Sequence, residues 1–154
     1  RRGKNSGFPM GRPPWDTLKT DSRIKLLKVL CAELMRYCNA DGFLEEEYKD
    51  KAKVIYGKKR ETWERLVEEW LIRNVVQRFS RSVQTSNTRY LIDTTHEDVA
   101  IIDSAMSKCS TYFEGHDRAS ELGVVDMPSI DEVEKDINDL EIYFKTLKSR
   151  RNKL

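Results

Sequence analysis

A chain of 154 residues with 35% charged and 38% apolar side chains can bury one core, and its polarity argues against a large α/β enzyme. A net charge of +2 excludes global basicity as a source of attraction to a polyanion, so any such attraction has to come from local clustering. Cys31, Cys38 and Cys109 sit at apolar positions of helical patterns without a C-x-x-C pair, which predicts a reduced compartment, nuclear or cytosolic. No apolar run approaches membrane-spanning length, so no membrane partner is expected.

Residues 1–14 carry Arg1, Arg2, Lys4 and Arg12 with no acid, and only Phe8 and Met10 are large and apolar. Such a segment is expected to be a flexible basic arm. Its Met10-Gly11-Arg12-Pro13 resembles the Gly-Arg-Pro centre of an AT-hook, with Met10 where the hook has arginine. A chain that opens on Arg1 is expected to be a piece of a longer protein.

Ile24, Leu27, Cys31, Leu34 and Cys38 recur at 3,4,3,4 spacing and predict a first helix from Asp21 or Ser22 to Asp41-Gly42. A second helix is predicted over about 44–55, with three glutamates, Glu45 to Glu47, favoured in its first turn by the helix dipole. Gly57 reads as a break, and a third helix, 60–74, follows; the pair has helix-turn-helix form. At Val75 the apolar period switches from 3.6 to 2. Two extended runs, 75–83 and 88–93, flank the polar turn Gln84-Thr85-Ser86-Asn87, which predicts a β-hairpin.

Thr95 with Asp98 three residues on resembles a capping box, and Val99, Ile102, Met106, Cys109 and Phe113 extend that helix until Gly115. Residues 115–127 read as a linker. Ser129 with Glu132 opens the last helix. Its residues Ile130, Val133, Ile137, Leu140, Phe144 and Leu147 keep a heptad-like seam.

The expected fold is therefore mainly α with a small β-hairpin: a winged helix-turn-helix over 15–114, plus a C-terminal helix within 128–154 that packs on the domain or on a partner. The layout resembles the winged helix of the origin-recognition large subunit and of its silencing paralogue in budding yeasts. There a strand–wing–strand precedes a Thr/Ser-x-x-Asp-Val helix start, here Arg78–Ile92 followed by Thr95-His96-Glu97-Asp98-Val99. Helices after Gly115 are not part of that pattern. A winged helix with extra helices is also similar to the chromatin-binding region of meiotic HORMA proteins, and Leu26–Cys31 looks like the first helix of DDT domains.

These resemblances imply a non-enzymatic, nuclear, chromosome-associated module that binds DNA or nucleosomes. The residues expected to contact phosphate are Lys58, Lys59, Arg60 and Arg65 at the third helix and Arg78, Arg81 and Arg89 on the wing. Glu61, Glu64, Glu68 and Glu69 share that helix and argue against major-groove reading. The alternative is an assembly or dimerisation module that joins a protein partner or a second copy through the acidic third helix and the seam of Ile137, Leu140, Phe144 and Leu147. No histidine, cysteine or carboxylate set has metal-ligand or nucleophile spacing, so no catalytic residue, metal or cofactor is expected.

Overall fold

The computed structural model describes residues 14–113 and 126–153. The basic arm, its Gly-Arg-Pro sequence and nearly all of the 115–127 segment lie outside them. Four long helices carry the fold: α1 (Thr20–Cys38), α2 (Glu45–Leu66), α3 (His96–Phe113) and α4 (Ile130–Arg151). Helix α2 lies at the centre, packed against α1, α3 and α4, and α1 also packs on α4.

The apolar spacing explains the arrangement. Ile24, Leu27, Cys31 and Leu34 of α1 meet Tyr48, Ala52, Ile55, Tyr56, Trp63 and Leu66 of α2. Val133, Ile137, Leu140, Phe144 and Leu147 of α4 close the same core, each no more than 6% exposed. The heptad-like seam thus packs on the domain inside the chain. Helix α3 contributes one fully buried apolar side chain to this core, Cys109, while Ile101, Ile102, Ala105 and Met106 stay half-exposed. The three cysteines are free thiols, and burial raises the pKa of each above the usual range.

Two expectations are corrected. The first concerns Gly57, which does not break a helix: α2 runs unbroken from Glu45 to Leu66, so there is no helix-turn-helix. A helix-interior glycine costs about 1 kcal/mol relative to alanine. Here the missing side chain makes room for Phe113 of α3. A Cβ at position 57 would stand 2.7 Å from two atoms of the Phe113 ring.

The second correction is the wing. No strand occurs among the described residues. After α2 a π-helical turn (Val67–Leu71) ends in Arg73 and Asn74, both with left-handed φ of 49° and 58°. The Asn74 N–H closes the turn on the Glu68 carbonyl at 2.8 Å. The two residues reverse the chain where the first strand was expected to begin. The loop that follows is pinched by one hairpin-like bond, Gln84 N–H to the Val75 carbonyl at 2.7 Å. The second expected strand is instead a 3-10 helix, Thr85–Leu91.

The physical reason is the lack of a third layer. An isolated hairpin is marginal in water, and Val76 and Val83 remain 54% and 56% exposed with nothing to pack on. Local bonds compete as well: Ser80 donates to the Ser82 carbonyl and Thr88 to the Thr85 carbonyl.

The close approach at Gly57 is testable by a double-mutant cycle in urea. In a Phe113→Ala background, Gly57→Ala should stabilise by about 1 kcal/mol, the helix-propensity gain. With Phe113 present the gain should shrink or change sign. An identical effect in both backgrounds would remove the steric account.

Candidate nucleic-acid interface

The segment between α2 and α3 is shaped by one buried cation. Arg151, 1% exposed at the end of α4, donates from Nε to the Trp70 carbonyl (3.1 Å) and from Nη2 to the Leu71 carbonyl (2.8 Å) and Thr94 Oγ1 (3.1 Å). Its Nη1 donates to the Tyr90 carbonyl and to the Asp93 carboxylate. The acceptors are the two ends of the 72–92 loop, so a single guanidinium ties both ends together. The planar fork suits such divergent carbonyls in a way a lysine cannot. The basic C-terminal turn of α4 was legible in sequence, but not that one of its arginines is buried.

A second anchor lies beside it. Asp98 accepts from the Thr95 N–H at 2.8 Å while Thr95 Oγ1 accepts from the Asp98 N–H at 3.1 Å, which is the expected capping box. The same carboxylate accepts from Tyr143 Oη (2.8 Å) and Arg150 Nη2 (2.7 Å), joining α3 to α4. Burial pushes the Asp98 pKa up, but the bonds from Thr95, Arg150 and Tyr143 together outweigh it and hold it below the usual carboxylate range.

The expected phosphate-contacting residues do not form one surface. Lys59 is 3% exposed and sits inside the fold. Lys58 lies over the Trp15 ring at 4.4 Å, and Arg60 is partly buried and engaged. Arg65 pairs with Glu68 (3.3 Å) and Glu69 (3.9 Å). Arg78 pairs with Glu64 at 3.7 Å, and its N–H donates to Glu68 at 2.8 Å. The glutamates that argued against groove reading thus neutralise the cations beside them. Only Arg81 and Arg89 of the seven are exposed without an ion pair among the described residues.

A different set does converge. Arg73 lies over Trp70 (5.1 Å) and Tyr90 (4.7 Å), Arg89 over Tyr90 (5.4 Å), and Lys148 over Trp70 and Phe144 (5.6 Å each). Lys19 joins Arg73 and Lys148 in lining a depression of about 370 Å³ around Trp70 and Tyr90. Its acidic neighbours are Glu69 and Asp21. Glu69 is spent on Trp70 Nε1, the Thr20 N–H and Arg65. Asp21 accepts from the Ser22 N–H. Among the described residues, Lys19, Arg73, Arg89 and Lys148 form no ion pair. A larger depression of about 550 Å³ shares Lys19, Glu69 and Asn74 with the first and reaches Arg78 and Phe79. Phe79 is fully exposed and holds a left-handed φ of 64°, a backbone state that bulky side chains avoid.

Sequence reasoning missed Arg73, Lys148, Trp70 and Tyr90 as a group. One signal was visible: from Ile72 to Ile92 the chain has four arginines and no carboxylate. No protein-family model, curated protein or solved structure matches the chain.

Arg151→Met should cost about 3–5 kcal/mol in urea denaturation, since three backbone carbonyls and Asp93 lose their donor. Hydrogen exchange in the 72–92 loop should rise with it; unchanged loop protection would refute the clamp. The lowered pKa of Asp98 gives a pH signature of definite sign. Its stabilisation is complete above the unfolded-state value and is lost as pH falls through the lower folded value. Thermal melts should show an acid limb that is shallower in Asp98→Asn.

Proposed function

We propose that the chain is a non-enzymatic binding module that grips the phosphate backbone of a nucleic acid, preferentially single-stranded, through the face around Trp70 and Tyr90. The observation that supports this is the gathering of Lys19, Arg73, Arg89 and Lys148, free of ion pairs among the described residues, around two partly exposed aromatic rings. Cations that track a backbone beside rings on which bases stack are the common design for single strands. Arg81 and the hydroxyls of Ser82 and Thr85 are exposed in the same loop. The loop from Ile72 to Ile92 adds no carboxylate to this face, whose acidic neighbours are Glu69 and Asp21. A duplex groove reader would present a regular element instead, and the acidic end of α2 opposes one.

Fluorescence anisotropy with a labelled single-stranded oligonucleotide at two salt concentrations tests the reading. Arg73→Ala with Lys148→Ala should lower affinity about tenfold, and the slope of log affinity against log salt should fall by about 0.7 for each phosphate contact removed. Absence of binding at low salt, or equal binding by the variant, would count against it.

A second reading rests on Phe79. An aromatic held fully exposed between Val76 and Val83 is also the form of a protein-contact anchor. If Phe79→Ala abolishes capture of a protein partner while the oligonucleotide fails to bind the unaltered chain, this second reading replaces the first.

A further inference from the structure

On the far side of α2, helices α3 and α4 do not close on one another. Between them runs a groove of about 690 Å³, floored by Lys59 and Trp63 of α2. Ala100, Ile101 and Ala105 from α3 and Ile142 from α4 give its walls an apolar strip, flanked by charged side chains that include Lys108. Ile142 is 63% exposed, an aliphatic side chain left uncovered next to a core. The volume lies within the range of about 300–1,000 Å³ typical of small-molecule sites.

The floor carries two polar groups without acceptors. Lys59 is 3% exposed, and its ammonium forms no ion pair or hydrogen bond among the described residues; it lies 4.9 Å from the centre of the Tyr56 ring. Burial lowers its pKa below the usual lysine range, against opposing contributions from Cys109, Asp136 and Asp139, and Lys108 lowers it further. Trp63, 2% exposed, has a buried Nε1–H that finds no acceptor among the described residues. A buried donor left unpaired, as the Trp63 indole N–H is among the described residues, is destabilising. The carboxylates nearest the floor are already engaged elsewhere. Asp136 accepts from Tyr56 Oη and pairs with Lys108, and Asp139 pairs with Lys135.

We propose that this groove binds a small amphiphilic carboxylate, whose oxygens accept from the Lys59 ammonium and the Trp63 indole N–H while its hydrocarbon chain lies between Ala100, Ile101, Ala105 and Ile142. A monoanion supplies the acceptors that the floor lacks, and Lys59 and Lys108 both line the groove to meet its charge. A phosphate dianion fits worse, because Glu97, Asp136 and Asp139 also line the groove and oppose a second negative charge. A neutral ligand fills the walls but leaves Lys59 without a counter-ion. The proposal is independent of the nucleic-acid reading, since it uses none of the same residues.

Octanoate, octan-1-ol and octylammonium are the probes, titrated into the full chain with binding read by calorimetry and by the assigned indole N–H resonance of Trp63. Octanoate should give a saturable shift of that resonance and bind at least tenfold more tightly than octan-1-ol, and octylammonium should not bind. Lys59→Met should erase the difference between acid and alcohol. Because Lys59 is buried, a second variant guards against misfolding: Ala100→Trp, at an exposed position of the wall, should occlude the groove and abolish octanoate binding with helicity unchanged. Equal affinity for acid and alcohol, retention of binding by Ala100→Trp, or no saturable shift of the Trp63 signal would each overturn the proposal. So would a groove that accepts only a helical peptide with an acidic side chain and never the free acid.

Discussion

Arg151 is the constraint on which the loop face depends. Its guanidinium reaches carbonyls on both ends of the 72–92 segment, which has no strand ladder and few buried side chains of its own. Backbone carbonyls in a fold interior need donors, and here one side chain serves three of them. Because Arg151 extends α4, whose other turns fill the main core, the loop is fixed to a helix that packs into that core. The placement of Arg73 between Trp70 and Tyr90 follows from that, since those two rings lie at the opposite loop ends that Arg151 draws together.

Charge in this chain divides by pairing more than by sign. The basic and acidic residues along the end of α2 neutralise one another, Arg65 with Glu68 and Glu69, Arg78 with Glu64. Surface pairs of this kind add little stability, but they remove those cations from any long-range field. The cations that stay available stand over aromatic rings. A ring holds a cation in place by its quadrupole without cancelling its charge, so Arg73, Arg89 and Lys148 are positioned and still free to meet an anion. Lys59 shows the opposite outcome: buried beside the Tyr56 ring, it forms no ion pair among the described residues.

Much of the helical scaffold was legible in sequence. The 3,4 spacing of α1 and α4 marks the residues that line the core, and the boxes Thr95–Asp98 and Ser129–Glu132 open α3 and α4 as their spacing implies. Two features were not legible. Gly57 carries the same local signal whether it ends a helix or admits a neighbouring ring; only Phe113, 56 positions away, decides between them. The alternation after Val75 satisfies a strand template, but a strand needs a partner surface, and none of the four helices offers one. The interface suffered in the same way. Counting arginines identifies Arg78, Arg81 and Arg89 but cannot say which is neutralised, and Lys148 is too distant in sequence from Trp70 to be associated with it.

The residues that Arg151 bonds lie between 57 and 81 positions earlier in the chain. Contacts of such separation carry a large loop-closure entropy and form late in folding. Helices α1 and α2 are able to pair as soon as both exist, whereas the 72–92 segment acquires its shape only after the last turn of α4 docks. During synthesis this face would therefore stay unformed until the last turn of α4 has left the exit tunnel.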